Sequence, residues 1–553
     1  MNDLKLHPGR KREERRLKEK LRKAYGQIPE REYEPGAMVS IASFYRKYTK
    51  DSWSLDDITW NDLDMDRIFM VMNQTSSSSG EEYLYYMLRT PCADPGILNE
   101  RERLITFFSE HEEERLKLSV AFAHIGKTKG LSVTEYMDRL LELEERSNTV
   151  HIVQAILGAL SIAALVVAPT VGILIFLAVM CVNIGTYYKQ MGKDRPYISC
   201  FRYVMRLLAQ AEELEKTSIP EISGYLERMH RARISFERFR RNSFLLKEGQ
   251  NLAGDLMESV TDYFRMFFHL DIIKFNSMLE ELKKHAEDAR ILMEQAGILE
   301  ACIAAASFRE LMPYYAQPRF CRKRILHVSG MYHPLIKEPV PNDISAQGGV
   351  LITGSNASGK STFLKTAAVN AILAQTIHTA LARSYEGAFF HIYTSMALKD
   401  DLLGRESYYL AEIRSLKRIL DEIGEEYPVL CFVDEVLRGT NTVERIAASA
   451  QILESLSGRN VICFAATHDI ELTYILEDDY ENYHFTEEVS DDRISFSYRL
   501  LPGRSTTRNA IRLLKLIGYE EEIVEKAEAS AEAFLEEGVW KRLKQKEAGK
   551  SEE

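Results

Sequence analysis

The sequence has few of the residues that punctuate or staple a chain. Only 15 prolines and 29 glycines occur among 553 residues, too few for a fibrous or low-complexity protein, so folded domains are expected along most of its length. The seven cysteines (Cys92, Cys181, Cys200, Cys302, Cys321, Cys431 and Cys463) are scattered without a CxxC pair. That excludes a disulfide framework or zinc ribbon as the organising principle and suits a reducing cytoplasm. An excess of positive charge is also missing: 71 Lys and Arg against 82 Asp and Glu leave −11, so any contact with nucleic acid has to be local. Residues 4–23 carry ten Lys or Arg and three acids but lack the apolar stretch of a signal peptide. This run reads either as a solvated basic helix or as an electrostatic contact for anionic lipid or nucleic acid.

Charge of either sign is absent over one long window. Between Arg146 and Lys189 there are 42 residues without Asp, Glu, Lys or Arg. A straight helix over 152–184 would span about 50 Å, more than a hydrocarbon core of about 30 Å requires. Pro169, Thr170 and Gly172 divide the run into 152–168 and 171–187, each long enough to cross. The expected form is a transmembrane helical hairpin with both ends on the cytoplasmic side, flanked by Arg146 and by Lys189, Lys193 and Arg195, with Tyr187 and Tyr188 at the interface. The alternative is a buried hairpin in a soluble core or a partner-binding helix pair.

The remaining chain changes rhythm once. From 201 to 306 apolar residues recur at three- and four-residue steps, as in Leu279, Leu282, Ala286 and Ala289, the pattern of long packed helices. Pro313, Pro318 and Pro334 then punctuate a loop-rich stretch, after which β-branched runs alternate with helical ones, as in a parallel sheet with crossover helices. The expected division is a basic segment at 1–55, an all-α core of long helices at 56–150 and 189–325, interrupted by a hairpin at 151–188, an α/β P-loop ATPase domain with a mainly parallel sheet at 326–518, and a charged helical tail at 519–553.

Three motifs carry the chemistry. The apolar run 349–353 leads into Gly354, Ser355, Asn356, Ala357, Ser358, Gly359, Lys360 and Ser361, followed by a helical run from Thr362. This is GxxxxGK[ST] in strand–loop–helix context: glycines let backbone N–H groups close on phosphate oxygens, Lys360 reaches the β- and γ-phosphates, and Ser361 offers a hydroxyl to Mg²⁺. A second apolar run, 429–433, ends in Asp434 and Glu435. Asp434 is suited to hold Mg²⁺, and Glu435 to accept a proton from an attacking water. A third run, 461–465, ends in Ala466, Thr467 and His468, whose imidazole is either a γ-phosphate sensor or a structural hydrogen-bonder.

In this order the motifs resemble the MutS family of mismatch-repair ATPases. The likeness includes Thr353 to Asn356 and Gly359 to Thr362, then Asp434-Glu435 with Arg438-Gly439-Thr440, then Ala466-Thr467-His468 with Glu471-Leu472, and upstream His333-Pro334-Leu335 and Val340-Pro341-Asn342-Asp343. More loosely, Asn73-Gln74-Thr75 to Gly80, Tyr86 to Pro91 and Arg101-Glu102-Arg103 resemble the start of the family's helical core. The segment 400–412 is similar to the family's signature loop, which implies that Ser407 acts in trans at the nucleotide of a second copy. Residues 502–518 are similar to its C-terminal dimerisation element, so the resemblance implies a homodimer. It also implies ATP and Mg²⁺ as cofactors.

Departures from the family matter equally. Only about fifty residues precede the core, so the mismatch-reading and connector domains have no room here. Phe108-Ser109-Glu110 and Phe485-Thr486-Glu487 have the form of the family's Phe-x-Glu reader in the wrong context, and the aromatic residue expected to stack on adenine is missing from Glu338-Pro339-Val340. Among Phe236, Phe239 and Phe244, the cluster Arg228, His230, Arg231, Arg233, Arg238, Arg240 and Arg241 is a candidate phosphate contact or a solvated helix face. The expected protein is a homodimeric, Mg²⁺-dependent ATPase on the cytoplasmic face of the cell membrane, anchored in lipid through 151–188. Its expected output is binding of double-stranded or branched DNA in mismatch repair, the alternative being a membrane switch that acts on a protein partner or the bilayer without DNA.

Overall fold

The computed structural model describes residues 8–49, 53–128, 132–144, 146–240, 263–355, 358–396, 408–437, 440–490, 493–505 and 510–541. They form two units, a helical one comprising Met1–Leu55, Asp64–Tyr315 and Ile372–Thr379, and an α/β one comprising Asp56–Leu63, Ala316–Ala371 and Ala380–Glu553.

In the helical unit the Ala286–Leu311 helix is apolar and long enough to cross a membrane, yet it is largely buried in the protein. Its small residues permit close packing against the Ser78–Arg89 helix. A Cβ on Gly297 would lie 2.7 Å from Cβ of Tyr83, and one on Gly80 would strike the Glu300 carboxylate. That carboxylate accepts from the Ser77 backbone N–H at 3.2 Å and from the Ser76 N–H at 2.5 Å, supplying partners at a helix start where the backbone has none of its own. Burial pushes Glu300 up to about 7 against those hydrogen bonds.

The chargeless window forms the Thr149–Val167 helix and the first part of the Pro169–Glu215 helix. The chain turns at Ala168 alone, with φ −142° and ψ 79°, and Pro169 opens the second helix, where its missing N–H costs nothing. A Cβ on Gly172 would lie 2.4 Å from the Ala164 carbonyl oxygen, so the two arms cross closely there. The second arm does not end near 187: it continues for 47 residues to Glu215, and Phe201, Tyr203, Val204, Leu207 and Leu208 are buried in the unit's core. Apolar side chains nearer the turn stay exposed, with Val167 at 84% and Leu174 at 69%.

Residues 372–379 are held in the helical unit by an ionic cluster. Arg101 Nη1 donates to the Thr376 carbonyl at 2.6 Å, and Arg309 Nε donates to Thr379 Oγ1 at 2.8 Å. Glu102 accepts from Arg309 at 2.9 and 2.5 Å and from His378 Nδ1 at 3.1 Å. Burial opposes its charge, but these partners outweigh burial and hold Glu102 down at about 2.

The α/β unit contains β1 (Arg319–Phe320), β2 (Leu326–Met331), β3 (Asn342–Ala346), β4 (Gly349–Thr353), β5 (Ser384–Gly387), β6 (His391–Ser395), β7 (Val429–Asp434), β8 (Val461–Thr467), β9 (Tyr480–Ser490) and β10 (Arg493–Pro502). Strands in the order β1-β5-β2-β3 make a small sheet, and β10-β9-β4-β8-β7-β6 make the main one. The main sheet is parallel except for β10, which returns antiparallel to β9. β4, β7 and β8 are buried at every position, consistent with apolar runs covered on both faces. The distant segment 56–63 joins this unit: Asp62 accepts from Thr394 Oγ1 at 2.7 Å and the Met396 N–H at 3.0 Å, and Asp56 pairs with Arg418 at 2.8 Å.

Replacing Glu102 with Gln leaves Arg309, whose side chain is 2% exposed, without its counter-charge and should cost about 3 kcal/mol. Because the folded pKa is depressed, this contribution is full above the unfolded value of about 4.3 and is lost as pH falls towards about 2. In urea unfolding, the gap between the parent and E102Q should therefore be full at neutral pH and shrink on acidification below about 4.3. A gap independent of pH would refute this assignment.

Candidate functional site

The site is built at the carboxyl ends of three neighbouring strands. In register, Thr353 of β4 pairs with Thr467 of β8, and Asp434 of β7 pairs with Ala466 of β8. Gly354, Glu435 and His468 therefore emerge at one edge. Gly354 has φ 143° and Gly359 φ 107°; a Cβ on Gly354 would meet Ser358 Oγ at 2.9 Å and the Phe485 carbonyl oxygen at 3.1 Å. Both turns depend on glycine's freedom at positive φ. Ser358 closes the loop, its Oγ donating to the Ser355 carbonyl at 2.8 Å, and the Lys360–Thr376 helix begins immediately afterwards. Ser361 and Thr362 lie exposed in its first turn. Asn356 and Ala357 fall outside the described residues, as do Ser407 and the rest of 397–407.

Lys360 is turned inward, donating to the carbonyls of Gly354 at 2.7 Å and Ser355 at 2.9 Å. Its Nζ stands 3.4 Å from His468 Nε2, which lies 2.6 Å from Glu435 Oε1. At that distance from a carboxylate, Nε2 carries the proton and donates. Glu435 sits at φ 58° and Leu437 at φ 60°, a left-handed turn that costs ordinary residues of order 1 kcal/mol. The surroundings hold it: the Glu435 N–H donates to Ala466 O at 2.9 Å, and the Leu437 N–H to Glu412 Oε1 at 2.5 Å. Asp434 is buried, and its Oδ1 has no hydrogen-bond partner among the described residues. A buried acceptor oxygen in that state fits a hard cation such as Mg²⁺. No cluster of three or more His, Cys, Asp or Glu side chains suited to a metal occurs among the described residues.

Beside the loop lies a cavity of ≈ 300 Å³ between the 331–342 segment, the start of the Lys360–Thr376 helix and the β9–β10 pair. Tyr498 lines it together with Glu338, Pro339 and Val340, so β10 brings an aromatic ring to the cavity that the 338–340 stretch does not carry. Tyr498 has φ 50° at a register shift between Phe496 and Leu500. Asn342 clamps this bulge, its Nδ2 donating to the Tyr498 carbonyl at 3.0 Å and its Oδ1 accepting from the Leu500 N–H at 2.7 Å. Glu487 of β9 accepts from Ser355 Oγ at 2.5 Å. Tyr498 carries no local motif, and the Phe485-Thr486-Glu487 pattern that contains Glu487 gives no sign of a contact with this loop; the strand return that brings both here is visible only in three dimensions. Phe108 and Phe485 are both buried, at 0% and 2% exposure, so neither ring of the two Phe-x-Glu patterns is free to stack on a base.

Residues 350–535 match the family model for MutS domain V. The chain is 33% identical over 274 residues to the DNA mismatch repair protein MutS of Thermus thermophilus, a match covering 48% of this chain and 33% of that protein. It is 27% identical over 515 residues to the Thermus aquaticus protein of the same name, covering 85% and 61%. The Lactobacillus delbrueckii protein, also so named, is 24% identical over 529 residues, covering 85% and 60%. The chain thus spans between a third and about three fifths of the length of these curated relatives. Fold and site together define a helical core followed by a mixed α/β domain with three motifs at one sheet edge. The α/β unit carries a MutS domain V, and most of the chain's length is similar to proteins of the MutS family.

Replacing Asn342 with Ala removes the acceptor of the Leu500 amide. Hydrogen exchange at Leu500 should then accelerate by about tenfold or more while amides of β7 keep their protection. An unchanged Leu500 rate would show that the clamp does not hold the bulge.

Proposed function

We propose that the protein is a membrane-attached, homodimeric, Mg²⁺-dependent ATPase of MutS type whose hydrolysis cycle acts on DNA. The observation that carries the reading is the meeting of Lys360, Asp434, Glu435 and His468 at one sheet edge. In this scheme the loop Gly354, Ser355, Asn356, Ala357, Ser358 and Gly359, with Thr362 at the helix start, surrounds the phosphates with backbone N–H groups. Lys360 exchanges the carbonyls of Gly354 and Ser355 for phosphate oxygens, a stronger charge-assisted pairing. Ser361 and Asp434 hold the metal, and Tyr498 stacks on the base. Bound Mg²⁺ supplies neutralisation of the phosphate charge. Glu435 accepts the proton of the attacking water, and His468 holds its carboxylate in position and responds to the γ-phosphate. Ser407 of a second copy completes the site.

Membrane attachment through 151–188 is supported by the two apolar arms, whose side chains are mainly exposed despite their composition. In this reading the ATPase works at the cytoplasmic face of the membrane.

The alternative, a membrane switch acting on a protein partner or the bilayer without DNA, draws support from the arginine-rich segment. Arg228 donates to Gln295 at 2.7 Å, Arg233 and His230 both engage Glu215, and Arg231 pairs with Glu227. These side chains are engaged within the protein, whereas Arg241 lies outside the described residues, as do the side chains of Arg238 and Arg240. Duplex, mismatched and branched DNA titrated across a salt series distinguishes the readings: nucleotide-dependent, salt-sensitive binding favours DNA, and its absence at low salt with turnover intact favours the switch.

Replacing Glu435 with Gln should keep ATP binding and lower steady-state turnover by at least about tenfold. Unchanged turnover would remove Glu435 from the role of base.

A further inference from the structure

The exposed apolar arms have one covered face. Gly158, Ser161 and Asn183 are buried there, and Gly158 and Asn183 meet a separate stretch of chain, residues 263–269. A Cβ on Gly158 would lie 3.0 Å from the Phe267 ring, and Phe267 and Phe176 have ring centroids 5.5 Å apart. Asn183 Nδ2 donates to the Phe267 carbonyl at 2.9 Å. His269 Nε2 donates in turn to the Asn183 carbonyl at 2.8 Å, and its Nδ1 lies 2.9 Å from Nδ1 of His151.

These contacts give the stretch a direction. His269 meets His151 and Thr186, near the charged ends of the arms. Phe267 meets Gly158 and Phe176, each nearer the turn at Ala168. Gly158 lies seven residues beyond His151, about 10 Å further along the arm. Residues 263–267 are helical, so followed backwards from His269 the chain climbs beside the arms towards their turn. His269 adopts φ 55° before the Leu270–Lys284 helix begins, and this left-handed residue redirects the chain into the helical core.

Resting on the membrane reading above, the geometry points to residues 263–267 as a third lipid-contacting element, a helical wall inserted beside the two arms. Its occupant is bilayer lipid. Tyr263 and Phe264 are 66% and 55% exposed, four and three residues before Phe267, whose ring packs on the arms. A protein segment in hydrocarbon must satisfy its backbone internally, and Asn183 does so for the Phe267 carbonyl, while the Phe268 N–H donates to the Phe264 carbonyl at 3.1 Å. The only charge in the element, Arg265, is 15% exposed and lies 3.8 Å from Asp271 Oδ1 at the charged end, which suits a cation directed towards the membrane surface. Aromatic side chains on such an element suit a depth between headgroups and acyl chains. The membrane-facing part is then a three-walled unit in which small and amide side chains form the packing surface, as they do between helices in lipid.

The test uses the full chain reconstituted into vesicles of dioleoylphosphatidylcholine and dioleoylphosphatidylglycerol, with and without bromine on the acyl chains. Tryptophan is added singly as Leu174→Trp on the second arm and Phe264→Trp on the third element, with Tyr263→Trp if Phe264→Trp does not fold, and emission is compared with the parent. Blue-shifted emission from both positions that is lost with brominated lipid is expected. Quenching at 174 without quenching at 264 or 263 overturns the third element and leaves the hairpin standing. An emission at 264 that is blue-shifted but unquenched means that protein covers it, for instance a second copy, and also overturns the proposal. If neither position is quenched, the hairpin reading fails and the third element falls with it.

Discussion

The arrangement depends on one constraint: β4, β8 and β7 lie side by side, parallel and in register, so that all three end at the same edge. Each is buried at every position, so each backbone group must find its partner in a neighbouring strand. A slip of one residue would exchange the faces of every side chain and move Asp434 away from the loop that begins at Gly354. The apolar interior therefore sets the geometry of charged groups that lie outside it. The left-handed turn at Glu435 and Leu437 is held against its own strain by bonds to β8 and to Glu412, so the carboxylate faces His468 instead of solvent.

Two apolar helical stretches meet different fates in the same unit. Ala286–Leu311 is buried because its glycine and alanine surface lets neighbouring helices approach to backbone distance. The arms on either side of Ala168 carry larger aliphatic residues on most faces, and few of their side chains, Ser161, Asn183 and Tyr187 among them, are buried. Both are long and apolar enough to cross a membrane, although the arms hold no Asp, Glu, Lys or Arg and Ala286–Leu311 holds seven. What separates them is whether other parts of the chain offer a surface to bury against. The 47-residue second helix belongs to both environments, exposed near Ala168 and buried beyond Cys200. A movement of the helical core would therefore reach the arms without crossing a flexible joint.

The loop that begins at Gly354 is tied to its own framework. Lys360 spends its donors on the carbonyls of Gly354 and Ser355, and Ser355 is held by Glu487. Ligand binding would exchange neutral acceptors for charged ones at Lys360, while the negative charge of Glu487 stays beside the loop. Affinity at this site accordingly reflects a difference between two sets of bonds, not the sum of new ones.

By itself the sequence determined the features that are local in the chain. The loop from Gly354 to Ser361, the acidic pair at the end of 429–434 and the Ala466-Thr467-His468 end were legible because a strand, a turn and the residue types that bind phosphate occur within a few positions of each other. The change from helical to β rhythm near 310–326 and the chargeless window were legible for the same reason: periodicity and charge are properties of short windows. The tertiary structure alone decided that Tyr498 and Glu487 stand beside the loop, that Asn342 clamps a bulge 156 residues away, and that 56–63 joins the α/β unit while 372–379 joins the helical one. It also decided that the second arm runs on to Glu215 and that Phe267 covers Gly158. Such choices are made by side chains and backbone groups hundreds of residues apart that compete for the same buried surface, and no local pattern records the outcome.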